Sequence, residues 1–263
     1  MKVLFLCAGY GTRLEQDLEE SGEFKECIGR PKALLPIGEE ALISFWFQAL
    51  SKLEKSLEIT IVTNDKFLEQ FHKSKKWYSK TGQDFKIITD GSTSNENRLG
   101  AIADIKFAIP NADDDLLVIA GDTLFHSDFD LNDFIKEFER LKSLNKAPIS
   151  LIVECPCPEN ELEKHGIIEV NESKIVTSFL EKPKPTETKS RSQSPCFYLF
   201  DQASQKLLEE YLSQDLSMKQ KDATGNFLAF LVNKAKVFAF KTKGRFDVGN
   251  LASYKFCIEN FTK

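Results

Sequence analysis

Val3-Leu4-Phe5-Leu6-Cys7-Ala8-Gly9-Tyr10-Gly11-Thr12-Arg13-Leu14 opens the chain as an apolar run that breaks at two glycines and is followed by a cation. A run hydrophobic at successive positions fits a strand covered on both faces, as in the middle of a parallel sheet. The Gly9-x-Gly11 turn permits positive φ and removes two Cβ atoms, so successive backbone N–H groups can close around an anion. Arg13 brings positive charge to that turn, and Lys32 follows in Arg30-Pro31-Lys32-Ala33-Leu34-Leu35-Pro36-Ile37. Strand, glycine turn and cations together predict a phosphate-holding loop.

Working outward, apolar and β-branched runs recur at 2–8, 59–63, 85–88, 116–120 and 149–154. Between them, 44–55, 66–76, 98–109 and 130–144 show helical periodicity. This alternation predicts crossover units around a mostly parallel sheet with helices on both faces. Ligands in such sheets bind beyond the carboxyl ends of the strands, where both the glycine turn after Ala8 and the Gly121-Asp122 pair after Ala120 fall. From about residue 166 the texture shifts to short strands at 166–170, 174–181 and 196–200 with turn signals between them. Residues 182–195, rich in Pro, Lys, Ser and Thr, read as an exposed loop or as a lid beside the site. Ser94-Asn95-Glu96-Asn97 reads as a helix start, with an N-cap and an acid in the first turn. No internal repeat is evident.

Two familiar phosphate motifs are excluded by spacing: there is no G-x-x-x-x-G-K-[ST], and Leu14 stands where a dinucleotide fingerprint has its third glycine. The wording around the turn points elsewhere. Ala8-Gly9-Tyr10-Gly11-Thr12-Arg13-Leu14 with Pro31-Lys32-Ala33-Leu34-Leu35-Pro36-Ile37 closely resembles the signature of the sugar-1-phosphate nucleotidyltransferases, which make nucleoside-diphosphate sugars. Leu116-Leu117-Val118-Ile119-Ala120-Gly121-Asp122, Glu181-Lys182-Pro183 and Phe246-Asp247-Val248-Gly249 are similar to three further segments of that family, in the family's order. The chain departs from the pattern in a longer acidic segment at 15–29, and in Asn95-Glu96-Asn97-Arg98-Leu99-Gly100-Ala101, which replaces the plainer glycine-rich turn near the base.

The resemblance implies one α/β nucleotidyltransferase domain over 1–263, Rossmann-like, with a nucleotide-binding core at 1–150. A smaller sugar-side β lobe and the C-terminal helices would occupy 151–263. It implies nucleotide contacts from Ala8, Gly9, Gly11, Thr12, Arg13, Arg98 and Gly100, with Arg98 touching base or phosphate or else facing solvent. Arg13 would fork onto the β- and γ-phosphates and Lys32 would serve the α-phosphate or the leaving group. Asp122 and Asp247 would ligate Mg²⁺, which prefers one or two carboxylates plus substrate phosphate oxygens. Gly166, Glu181 and Lys182 would hold the sugar phosphate. The implied partners are a nucleoside triphosphate and a sugar-1-phosphate, with homo-oligomerisation left open. Arg13, Lys32 and Asp122 would carry catalysis by alignment and charge neutralisation, since the nucleophile arrives with the substrate.

Composition is consistent with this. With 41% hydrophobic and 29% charged residues the chain reads as an ordinary soluble globular protein, and 22 phenylalanines predict a core built on aromatic packing. A net charge of −5 argues against a surface made to neutralise nucleic acid or an anionic membrane. Six scattered cysteines without a C-x-x-C pair suggest neither a zinc ribbon nor a dithiol redox site. Cys155-Pro156-Cys157 reads as a strand end. The first apolar run is too short for a secretory signal and no span of about 20 apolar residues occurs, so a cytoplasmic protein is expected. Three other readings stay open at this point: a cytidylyltransferase acting on phosphocholine or a phosphonate, a glycosyltransferase using Asp128-Phe129-Asp130 as a metal-binding D-x-D, and a non-catalytic regulator built on the acidic insert.

Overall fold

The computed structural model describes residues 1–78 and 81–261. In chain order the first half comprises β1 (Lys2–Cys7), α1 (Thr12–Ser21), the hairpin β2 (Pro36–Ile37) and β3 (Glu40–Ala41), α2 (Leu42–Leu50), β4 (Glu58–Thr63), α3 (Asp65–Tyr78), β5 (Phe85–Thr89) and α4 (Ala101–Ala108). Then follow β6 (Leu116–Ala120), β7 (Thr123–Phe125), α5 (Leu131–Leu144), β8 (Ile149–Pro156), β9 (Gly166–Val170) and β10 (Val176–Glu181). The chain continues through β11 (Ser192–Gln193), β12 (Phe197–Phe200), α6 (Gln202–Leu212), α7 (Met218–Asp222), α8 (Thr224–Leu231), β13 (Lys236–Lys241), β14 (Arg245–Asp247) and α9 (Leu251–Asn260).

Among the described residues, one large sheet runs β10-β9-β11-β8-β12-β6-β1-β4-β5, with β13 alongside β8. Strands β6, β1, β4 and β5 are mutually parallel, while β12 is antiparallel to both β6 and β8 and so joins the two halves. The short strands after residue 166 therefore extend the central sheet. Strand alternation divides the core between its faces: Val3, Phe5, Leu117 and Ile119 pack on one side, and Leu4, Leu116 and Val118 on the other. On the first side Phe5 stacks on Phe47 of α2, while Trp46, Phe125, Phe129 and Phe197 form an edge-to-face cluster. Phe125 belongs to β7 and Trp46 Nε1 donates to Thr123 O at 2.8 Å, so the cluster anchors the strand that follows the Gly121-Asp122 turn.

Two local expectations differ, in whole or in part, from the structure, and the acidic segment finds a place in it. The helix expected at Ser94 begins at Ala101 instead, because Asn97 Oδ1 accepts the Thr93 and Ser94 N–H groups and Ser94 Oγ accepts that of Glu96. These side-chain bonds close a local turn that competes with helix, and Gly100 at φ 91° separates it from α4. The acidic segment supplies α1 from Glu15 to its cap at Gly22 and a short 3-10 turn at Lys25–Cys27, and is tied to α9 through Asp17 on the Leu251 N–H and Glu23 on Lys255. Within 182–195, residues 184–187 are exposed as expected, whereas 190–193 are strapped down: Ser192 and Gln193 pair with β8, Ser190 donates to Ile168 O, and Arg191 bonds Glu159.

One buried charge stands out against the second core face. Asp104 on α4 is 5% exposed and its Oδ1 has no hydrogen-bond partner among the described residues. Burial, then the neighbouring carboxylates of Asp90 and Asp222, push its pKa up to about 7. The folded protein thus binds a proton more tightly than the unfolded chain does. Stability from this group is full below the ordinary aspartate pKa of about 4 and is lost as pH rises to about 7. Asp104→Asn should therefore stabilise the protein by roughly 4 kcal/mol at pH 8, with the gain shrinking as pH falls toward 4. Urea unfolding of both proteins across that range checks this, and a pH-independent difference would refute it.

Candidate active site

The glycine turn leads directly into α1. Gly11 adopts φ 67° and caps the helix, so the free N–H groups of the first turn begin at Thr12, immediately after the loop. Asn64 Nδ2 donates to Ala8 O at 2.9 Å, and Tyr10 donates to Ser92 Oγ at 3.0 Å, which fixes the loop on both sides. A Cβ on Gly9 would meet nothing within 4 Å, so the space over the turn is open. The Arg13 side chain is exposed and makes no hydrogen bond or ion pair among the described residues.

Gly121 lets the next loop settle onto the end of β1. A Cβ there would lie 2.6 Å from Cys7 Sγ and 3.1 Å from Leu6 O, while the Gly121 N–H donates to that same Leu6 carbonyl at 3.0 Å. Asp122 is thereby held beside Lys32, whose Nζ donates to Asp122 Oδ2 at 2.9 Å. Burial works to raise the Asp122 carboxyl, but Lys32 and then Arg245 outweigh it and hold it below the ordinary carboxylate range. Strand β14 pairs with β7, placing Asp247 opposite Thr123, and the Val248 N–H donates to Asp122 O at 2.9 Å. The two aspartates separated by more than a hundred residues are thus neighbours on one small ladder.

Farther along the sheet, Glu181 faces Gly166 in the β9–β10 register. Its side chain is 17% exposed and lies 3.7 Å from Lys182 Nζ. Burial raises the Glu181 pKa against the opposing pull of Lys182. Lys182 sits at φ 53°, a conformation unusual outside glycine, and its N–H donates to His165 O at 3.1 Å. That backbone kink turns the chain between Glu181 and Pro183, so that Lys182 is half exposed while Glu181 stays inside.

Arg98 and Gly100 lie against α7. The Arg98 Nε and Nη2 both donate to Asp222 at 3.1 Å, and Nη1 donates to Asn95 O at 2.6 Å, so its fork is engaged by the protein itself. A Cβ on Gly100 would come within 2.9 Å of the Lys221 carbonyl. The D-x-D residues are structural: Asp128 accepts from Thr242 and the Lys243 N–H, and Asp130 caps α5.

Four further residues adjoin these candidate side chains, directly or through one another, without lying in any sequence motif. Arg245 Nη2 donates to Asp247 Oδ2 and to His165 Nδ1, each at 3.0 Å, while Nε donates to Gln193 Oε1 at 3.1 Å. Strand period supplies the missing signal: residues two apart share a face, so Arg245 must accompany Asp247. Gly225 is the fourth, since a Cβ there would fall 1.9 Å from Glu181 Oε2. No local pattern announces it.

Among the described residues, no helix is long and apolar enough to cross a membrane. The chain is 26% identical over 184 residues to a D-glycero-alpha-D-manno-heptose 1-phosphate guanylyltransferase of Campylobacter jejuni, covering 69% of each sequence. It is 23% identical over 212 residues to a UTP–glucose-1-phosphate uridylyltransferase of Synechocystis, covering 76% of this chain and 49% of that protein. The fold matches a UDP-glucose pyrophosphorylase solved with UDP-glucose at a TM-score of 0.72 and 20% identity, covering 98% of this chain and 97% of that one. Residues 2–263 match the profile of the family described as Nucleotidyl transferase; with the glycine loop and the paired aspartates at one edge of its mostly parallel sheet, the chain belongs to that nucleotidyltransferase family.

Proposed function

We propose that this nucleotidyltransferase condenses a nucleoside triphosphate with a sugar-1-phosphate, giving a nucleotide sugar and pyrophosphate. An oxygen of the acceptor phosphate attacks the α-phosphorus, the bond from that phosphorus to the bridging oxygen breaks, and the electron pair leaves with pyrophosphate. The observation that carries this reading is the convergence of Lys32–Asp122 and Arg245–Asp247 on one ladder, with the glycine loop beside it. Glu181 and Lys182 are linked to the same ladder through His165. Lys32 orients Asp122 and carries positive charge to the phosphates, while Arg13, free of protein partners, reaches toward the triphosphate. Glu181 is placed to accept hydrogen bonds from sugar hydroxyls, and Lys182 to meet the acceptor phosphate. This buried acid favours a hydroxylated acceptor over phosphocholine.

The donor set fits Mg²⁺: two carboxylates from adjacent strand ends, each now balanced by a cation, with side chains 30% and 35% exposed. No group of three or more His, Cys, Asp or Glu side chains gathers among the described residues, so the remaining ligands would come from substrate phosphates and water. When bound, the ion would supply charge neutralisation at the transferring phosphoryl group. The relatives' guanylyl and uridylyl specificities leave several bases in contention. Six free cysteines fit a reducing, cytoplasmic setting.

The test is a pyrophosphate-release screen of the four common ribonucleoside triphosphates and dTTP against sugar-1-phosphates and phosphocholine. Release with a sugar-1-phosphate is expected; release with phosphocholine alone overturns the acceptor, and release with none overturns the activity. Arg13→Ala should lower kcat/KM roughly a hundredfold without changing the melting temperature, because the side chain has no role in the fold. Wild-type rates at saturating and subsaturating triphosphate would remove Arg13 from the phosphate site.

A further inference from the structure

We propose that Arg245 is an additional binding residue for the acceptor phosphate, presenting the far edge of its guanidinium to a phosphate oxygen. The inference rests on the activity proposed above and adds to it a residue that no phosphate motif contains. Arg245 is fixed from three directions: Gln193 of β11 takes Nε, and His165 and Asp247 share Nη2. Arginine has no acceptor atom, so His165 Nδ1 must accept, which leaves that ring's proton on Nε2, 3.5 Å from Glu161. With Nε and Nη2 engaged, the donors left over are those of Nη1.

Nη1 has no hydrogen-bond partner among the described residues, and although the side chain as a whole is only 9% exposed, this nitrogen is not among the fully sealed, unpartnered polar atoms. A buried guanidinium held by three partners, with the two Nη1 N–H donors unclaimed, is suited to a phosphate in geometry and charge. Its location selects which phosphate. Asp247 ties it to the ladder that follows Asp122, whereas His165 immediately precedes β9, Gln193 lies in β11, and His165 O receives the Lys182 N–H. Arg245 thus spans from the carboxylates to the Lys182 turn, and the phosphate that must lie between those two is the acceptor's.

Calorimetry of Arg245→Gln tests this with glucose 1-phosphate and inorganic phosphate as acceptor-side probes and UTP and GTP as nucleotide probes. Gln can still hydrogen-bond within the pocket but lacks the charge and the Nη1 donors. Binding of the acceptor-side probes should weaken at least tenfold, while nucleotide affinity in the absence of added metal stays within twofold. Unchanged acceptor affinity, or equal weakening toward both classes of probe, overturns the proposal. If Arg245→Gln does not fold, Arg245→Lys is read by the same criteria: one ammonium would be taken by Asp247, the fixed anion, and would leave the acceptor phosphate without its donor. Wild-type protein that binds neither acceptor-side probe removes both this inference and the acceptor class, whereas wild-type binding retained in the variant removes this inference alone.

Discussion

Asp122→Asn is expected to lower turnover on the order of a thousandfold while leaving the melting temperature within a few degrees of wild type. The side chain is isosteric, and the backbone bond from the Val248 N–H to the Asp122 carbonyl that fixes the β7–β14 ladder does not involve the carboxylate. What is lost is a charge at the strand end where the cations Lys32 and Arg245 converge. An uncharged amide cannot hold a divalent ion as the carboxylate can, and Lys32, 21% exposed, would turn toward solvent once its partner is neutral. Asp247→Asn should act in the same direction. Rates at equal protein loading across a Mg²⁺ titration, with circular dichroism as the folding control, are the measurement. Wild-type turnover in Asp122→Asn at any Mg²⁺ concentration would take that residue out of the chemistry.

The parallel half of the fold was legible because its strands are buried on both faces and therefore read as uninterrupted apolar runs. Residues 116–120 read as a strand and β6 spans Leu116–Ala120; the run at 2–8 reads likewise and β1 spans Lys2–Cys7. The helix boundary near Ser94 was not legible, because the same Ser and Asn side chains that cap helices also close tight turns, and only Gly100 decides between the two. The segment 182–195 reads as loop by composition, and its attachment depends on pairing partners at Cys155 and Ile167 that no local pattern names. Within the candidate site, residues inside short motifs, such as Lys32, Asp122 and Asp247, could be named in advance. Residues that enter by tertiary approach could not. Arg245 was the exception that strand alternation could have supplied, while Gly225 comes from a helix packed on β10 and gives no sign until the sheet is assembled.

Gly225→Ala should raise the KM for the acceptor by about a hundredfold, the loss typical of a misplaced contact at a reacting centre, with the nucleotide KM unchanged. The glycine is the second residue of α8 and has an ordinary helical backbone, so alanine there gains up to about 1 kcal/mol of helix propensity. Against that gain, the new Cβ would lie 1.9 Å from Glu181 Oε2 and 2.6 Å from the Phe179 ring. Phe179 is buried and can yield only by repacking, whereas the carboxylate is the free end of a flexible side chain and moves first. The expected product is a folded protein whose Glu181 has been pushed out of its place beside Gly166. Lys182→Ala gives the contrasting case, because it leaves Glu181 in position and should weaken the acceptor through the phosphate alone. Measuring both substrates' KM values in the two variants, with thermal melts alongside, separates the effects: an unchanged acceptor KM in Gly225→Ala would show that the Glu181 carboxylate does not contact the acceptor, since its position cannot survive that substitution.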